Sequence, residues 1–169
     1  GKAWSCRQYS PDRTRAAATS RGVVWEQGKI RALPTLGGDN GFATGANNHR
    51  QVVGWAENKI EDASCVAPQI FQFRATLWGP DLDRVRELPP LRGDSTRAAT
   101  GINDKGQVIG ISGACGTAVG GVAARHAVMW EHGKPKHLGN LGGIAWNTPM
   151  ALNERGDVVG FSNVSKEDG

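Results

Sequence analysis

Three tryptophans set the period of this chain. Trp25, Trp78 and Trp130 stand 53 and 52 residues apart, and the same order of residues follows each one. A Leu-x-x-Leu pair comes first (Leu33/Leu36, Leu88/Leu91, Leu138/Leu141), then a glycine (Gly38, Gly93, Gly143), then an asparagine. Each unit closes on Val-Val-Gly or Val-Ile-Gly, running from Asn47 to Gly54, from Asn103 to Gly110 and from Asn153 to Gly160. Self-similarity at a period of roughly 20–50 residues is the signature of solenoids, propellers and related arrays. It constrains architecture strongly and chemistry weakly.

Within a unit the local pattern is β throughout. Short apolar runs end on each tryptophan: Gly22-Val23-Val24-Trp25, Arg74-Ala75-Thr76-Leu77-Trp78 and His126-Ala127-Val128-Met129-Trp130. Turn residues follow (Glu26-Gln27-Gly28-Lys29, Gly79-Pro80-Asp81, Glu131-His132-Gly133-Lys134), and a second strand leads to the leucine pair. Spacing and turn chemistry predict a β-hairpin. Next come small residues (Ala43-Thr44-Gly45-Ala46, Ala98-Ala99-Thr100-Gly101, Pro149-Met150-Ala151-Leu152), as in a strand packed tightly against neighbours. An Asn-x-x-Gly turn then returns the chain into the valine strand, because Asn and Gly tolerate the left-handed backbone that tight turns need. In the first unit Arg50 replaces that glycine, so its turn takes another geometry or strains Arg50.

Two hairpins per unit give four strands, the content of one propeller blade. The predicted fold is therefore all-β: a propeller-like array of four-stranded blades over about three repeats. The layout is the tail of a preceding repeat at 1–19, units at 20–54, 74–110 and 125–162, linkers at 55–73 and 111–124, and a tail at 163–169. Three blades are too few for a ring of the usual four to eight. The array is thus expected to be part of a larger ring, completed by further repeats or by a second chain.

The third unit, with His126-Ala127-Val128-Met129-Trp130, Leu138-Gly139-Asn140-Leu141-Gly142-Gly143, Ala151-Leu152-Asn153 and Gly156-Asp157-Val158-Val159-Gly160, resembles the bacterial HAF repeat. That repeat is named for a His-Ala-Phe triplet and occurs in probable extracellular proteins. The first two units match less completely: Gly22-Val23-Val24 and Arg74-Ala75-Thr76 stand where the triplet would be. The resemblance implies export, to the outside or the periplasm, and a propeller-like β architecture. It carries over no catalytic residue.

Composition narrows the function classes. A net charge of +4 is spread over single basic residues with no run of four, so the chain lacks the clustered footprint of a nucleic-acid binder. No run of 18 apolar residues marks a membrane span. Cys65 and Cys115 both lie between units, 13 and 15 residues before the next tryptophan, and Cys6 lies in the corresponding joint before Trp25. Equivalent joints should sit side by side, which allows a Cys65–Cys115 or a Cys6–Cys65 disulfide. No Cys-x-x-Cys pair points to zinc, and no cofactor is expected.

The search for chemistry yields binding residues rather than catalytic ones. Gly110-Ile111-Ser112-Gly113 lacks the spacing of a nucleophile elbow and reads as a turn after a strand. His126, His132 and His137 gather in the third unit with no carboxylate at metal-ligand spacing, so no metal site is assigned. Asp39 and Asp94 follow their glycines directly and Asn147 falls near its own, in loops that should recur on one face. Such carboxylates suit glycoside chemistry or Ca²⁺, and equally suit turns. Trp146, a loop aromatic with Asn147 and Arg97 nearby in the repeat, can stack on a sugar or a partner. The expected function is a binding or interaction module presenting Asp39, Asp94, Arg97, Trp146 and Asn147 to a carbohydrate or protein ligand. A hydrolase or lyase with loop carboxylates, or a pure assembly segment, are the alternatives.

Overall fold

The computed structural model describes residues 19–118 and 120–165; Cys6 and most of the predicted N-terminal tail lie outside them. Among the described residues the chain is all-β, with one short 3₁₀ turn, Gly121–Ala124. In chain order the strands are β1 (Val23–Glu26), β2 (Lys29–Ala32), β3 (Gly41–Ala46), β4 (Val52–Glu61), β5 (Phe71–Trp78) and β6 (Val85–Glu87). They continue as β7 (Thr96–Ile102), β8 (Val108–Gly113), β9 (His126–Glu131), β10 (Lys134–His137), β11 (Thr148–Leu152) and β12 (Val158–Phe161).

The predicted hairpins form where turn chemistry demands them. Gln27-Gly28 and His132-Gly133 all take positive φ, the two-residue turn whose twist matches that of the flanking strands. Asn47, Asn103 and Asn153 each accept, through the side-chain oxygen, from backbone amides two or four residues on, and so hold the second hairpin's turn. Arg50 adopts the geometry of its glycine counterparts, with φ 59 beside 75 at Gly106 and 89 at Gly156. The strained backbone is kept, and the guanidinium pairs with Glu26 at 2.8 Å. The glycine of Val-Val-Gly has a different cause. A β-bulge in β3, β7 and β11 brings a partner-strand carbonyl over it. A Cβ on Gly54, Gly110 or Gly160 would meet that oxygen at 1.9, 2.1 or 2.2 Å.

Strand pairing departs from the expected layout. Each unit was expected to supply one blade. The two four-stranded sheets are instead β3-β4-β5-β6 and β7-β8-β9-β10, each a meander built from the second hairpin of one unit and the first of the next. Among the described residues β1-β2 and β11-β12 remain two-stranded. Much of the expected linker at 55–73 is therefore ladder: β4 runs on to Glu61, and Val52–Glu57 pair with Phe73–Trp78. The expected linker at 111–124 begins inside β8 and contains the 3₁₀ turn. The physical reason is that a strand's free edge presents unpaired N–H and C=O groups that a neighbouring strand satisfies. The valine strand, paired on one side through its Asn turn, offers its other edge to the tryptophan strand that follows. Among the described residues the four sheets do not close into a ring.

The sheets stack through two tryptophan junctions. Trp78 is buried with Leu33 and Val52, and Val24, Leu36 and Ala43 pack around it. Trp130 is buried with Leu77, Leu88, Ala99 and Val108, and Leu91 packs around them. These are the same motif positions one unit apart. Each indole N–H reaches back to the preceding leucine pair, donating to Pro34 O at 2.9 Å or Pro89 O at 2.7 Å. Asparagine side chains link the units as well: Asn47 Nδ2 donates to Asn103 O and Asn103 Nδ2 to Asn153 O, both at 3.0 Å. A disulfide joins Cys65 to Cys115, tying the β4–β5 loop of one sheet to the segment after β8 of the next.

Candidate functional site

The third junction has the walls of the first two and no indole from the described residues. Met129, Leu138, Leu141, Pro149 and Val158 hold the motif positions of Leu77, Leu88, Leu91, Ala99 and Val108. Instead of enclosing a tryptophan they line a cavity of about 650 Å³, together with Ala127, Gly139 and Phe161. That volume lies within the range of roughly 300–1,000 Å³ typical of binding pockets. The cavity opens beside β12, which pairs with β11 on one side and with no strand on the other among the described residues. Leu141 and Phe161 are exposed, and Gln107, Glu131, Lys136 and Arg155 give the cavity a polar rim. An apolar floor beside free backbone donors and acceptors receives an added β-strand: main-chain bonds supply affinity and the floor takes alternate side chains.

The residues singled out from sequence are not brought together at this cavity. Trp146, 46% exposed at φ 60, lies over Gly120, and its amide donates to Gly121 O at 3.4 Å. Asn147 reaches the cavity wall but is 1% exposed; its Nδ2 donates to Arg125 O and Gly143 O, and its Oδ1 accepts from Ser162 Oγ at 2.6 Å. Arg97 is also 1% exposed, donating through Nε to Leu88 O and paired with Glu87, a carboxylate that Arg74 shares at 3.8 Å. Burial pulls the Arg97 guanidinium down to about 10, although Glu87 opposes the shift. Asp39 is exposed in the turn after Gly38.

Asp94 has the most suggestive partners. Its Oδ2 accepts from Ser112 Oγ at 2.6 Å and lies 3.0 Å from His126 Nδ1, and the His137 ring meets the His126 ring edge-on at 5.1 Å. The order is wrong for a nucleophile, which needs the imidazole between serine and carboxylate. Here the serine donates straight to the carboxylate, and Ser112 is fully buried. The arrangement is a latch that pins the loop after the leucine pair to the valine strand. Asn147–Ser162 repeats it in the third unit, and Asn40–Glu57 does so in the first, with the Asn40 amide donating at 2.9 Å. Among the described residues no group of three or more His, Cys, Asp or Glu is placed to hold a metal ion.

Sequence reasoning passed over the cavity walls because leucine, methionine and valine at those positions read as core. A signal was present: the first two leucine pairs are each covered by the tryptophan of the following unit, and the third repeats the same residue pattern. Comparison with protein-family models, with curated proteins and with solved structures found no match to this chain. Among the described residues no helix is long and apolar enough to cross a membrane.

Proposed function

We propose that this chain is an exported, propeller-type module that binds a protein ligand, taking a β-strand onto the free edge of β12 and seating its apolar side chains in the cavity. The observation that carries this reading is the cavity itself, an open recess with an apolar floor and a polar rim beside the edge of β12 that no described strand covers. The four-stranded meanders stacked through tryptophans support the propeller-type arrangement, and the likeness of the third unit to the HAF repeat supports export. The Cys65–Cys115 disulfide fits an oxidising compartment. A protein ligand is favoured over a carbohydrate because Met129, Leu138, Leu141, Pro149 and Val158 give the cavity an aliphatic wall and Trp146 stands outside it. The binding reading is favoured over a hydrolase because the carboxylate of Asp94 is taken up by the latch and Asp39 sits apart in an open turn.

The test is calorimetric titration of the chain with tryptophan-bearing β-hairpin peptides and, in parallel, with neutral and acidic oligosaccharides. Peptide binding that Leu141→Asp and Val158→Asp abolish is the expected result. Saccharide binding without peptide binding, or no binding of either class by chains that light scattering shows to be monomeric, refutes the reading.

A further inference from the structure

We propose that the strand taken up by this cavity is β1 of a second copy of the chain, with Trp25 as the anchor; the proposal rests on the interaction-module reading above. The chain presents both halves of one junction at separate places. Trp25 is 74% exposed, whereas Trp78 and Trp130, its counterparts in the other units, are each 1% exposed. Val159 on β12 is 64% exposed, whereas its counterparts Val53 and Ile109 are fully buried. The Trp25 strand lacks a partner on its outer edge among the described residues, as β12 does on its own.

The register of the docked strand follows from the two junctions already formed. β4 meets β5 with Val52 opposite Trp78, Val53 opposite Leu77 and Gly54 opposite Thr76. β8 meets β9 with Val108 opposite Trp130, Ile109 opposite Met129 and Gly110 opposite Val128. Carried to the free edges, the same register sets Val158 opposite Trp25 of the second copy, Val159 opposite Val24 and Gly160 opposite Val23. The Trp25 indole then enters the cavity between Leu138 and Leu141. Its N–H falls to Gly139 O, which stands where Pro34 O and Pro89 O accept from Trp78 and Trp130. The β11-β12 and β1-β2 hairpins together make a four-stranded meander like the two present within the chain.

Such a contact is head-to-tail, so it must close into a ring or run on as a filament. The described residues of each chain contribute two complete sheets and two halves, and those of two chains make six complete sheets. Six lies within the usual four to eight blades of a closed ring, whereas a ring of three chains would exceed it. The proposal is therefore a closed dimer.

The first measurement is light scattering of the full chain over a range of concentrations, for wild type and Trp25→Asp. Trp25 is solvent-facing in the single chain, so its replacement leaves the chain's own fold intact, which far-UV circular dichroism checks. The expected result is twice the 17.9 kDa chain mass for wild type and a single chain mass for the variant. The second is disulfide trapping of Val24→Cys chains mixed with Val159→Cys chains, both carrying Cys6→Ser. The mixture is expected to give an intermolecular crosslink that neither variant gives alone. A wild type that stays at one chain mass, an assembly that survives Trp25→Asp, or no crosslink in the mixture overturns the proposal; a mass above two chains overturns the closed dimer. Monomeric chains that still bind added hairpin peptides sink the second copy and leave the interaction module standing, and monomeric chains that bind none sink both.

Discussion

Replacing Cys65 and Cys115 together by alanine tests how the neighbouring sheets are held in register. The bond spans 50 residues of sequence and crosses from the β4–β5 loop to the segment beyond β8. Closing a loop of that length removes chain entropy from the unfolded state worth about 4 kcal/mol. The native side needs little adjustment. Cys115 N already donates to Ser64 Oγ at 3.1 Å and Val66 N to Gly116 O at 3.2 Å, so the two loops meet without the sulfurs. Alanine suits the fully buried position 115 because it adds no hydroxyl needing a partner. The expected loss of about 4 kcal/mol corresponds to a Tm lower by about 8–16 °C for a chain of this size. Guanidinium melts of wild type, wild type with reductant and the double variant make the assay. Reductant and double variant should fall together. A loss below about 1 kcal/mol in both would refute the entropic argument. A loss in the variant alone would assign the effect to packing at position 115.

Two further predictions rest on equally local causes. Gly110→Ala drives a methyl into Ala98 O, a backbone atom that cannot step aside, and should cost about 3 kcal/mol. Gly106→Ala, at φ 75 with open space around it, should cost only about 1 kcal/mol for the left-handed backbone. Thermal melts rank the pair, and equal losses would show that the bulge is not what requires the glycine. Asp62 is held down to about 2 from 3.8, first by the Ser64 hydroxyl and also by the Ser64 amide and Gln72. Its contribution is complete above the unfolded value of about 3.9 and is lost as pH falls through about 2. Because the carboxylate is partly exposed, solvent screening holds that contribution to about 1 kcal/mol. Acid melts of wild type and Asp62→Asn should converge toward pH 2, and a gap that persists there would disprove the assignment.

The strands and hairpins were legible because their causes are local. Short apolar runs mark Val52–Val53 and Val108–Ile109, and Gln27-Gly28, His132-Gly133 and the Asn turns fix where the chain reverses. Membership of a sheet was not legible, since the free edge of β4 is filled by β5 across a segment whose sequence reads as a linker. The partners of the loop residues were not legible for a related reason. Asp94 and Asn147 after their glycines look the same whether they face a ligand or clamp a strand. Their serine partners, Ser112 and Ser162, lie 18 and 15 residues away. Arg97, charged and expected in a loop, is buried on a strand because Leu88 O and Glu87 receive it.

The cavity follows from a property of the motif itself. Every unit carries a tryptophan and a leucine recess, and in the two filled junctions the tryptophan of one unit reaches back into the recess of the unit before it. Three units therefore hold three tryptophans and three recesses, and stacking them in line fills two. Lengthening such a stack moves the unfilled pair further apart and never removes it, because each added unit brings one of each. Only a contact that returns the last recess to the first tryptophan, in the same chain or another, satisfies both. In this chain Trp25 lies 74% exposed, so the described residues do not make that return in cis. The residues of the recess are core by type and a binding surface by circumstance. What decides between the two is the position of one indole rather than the chemistry of the wall.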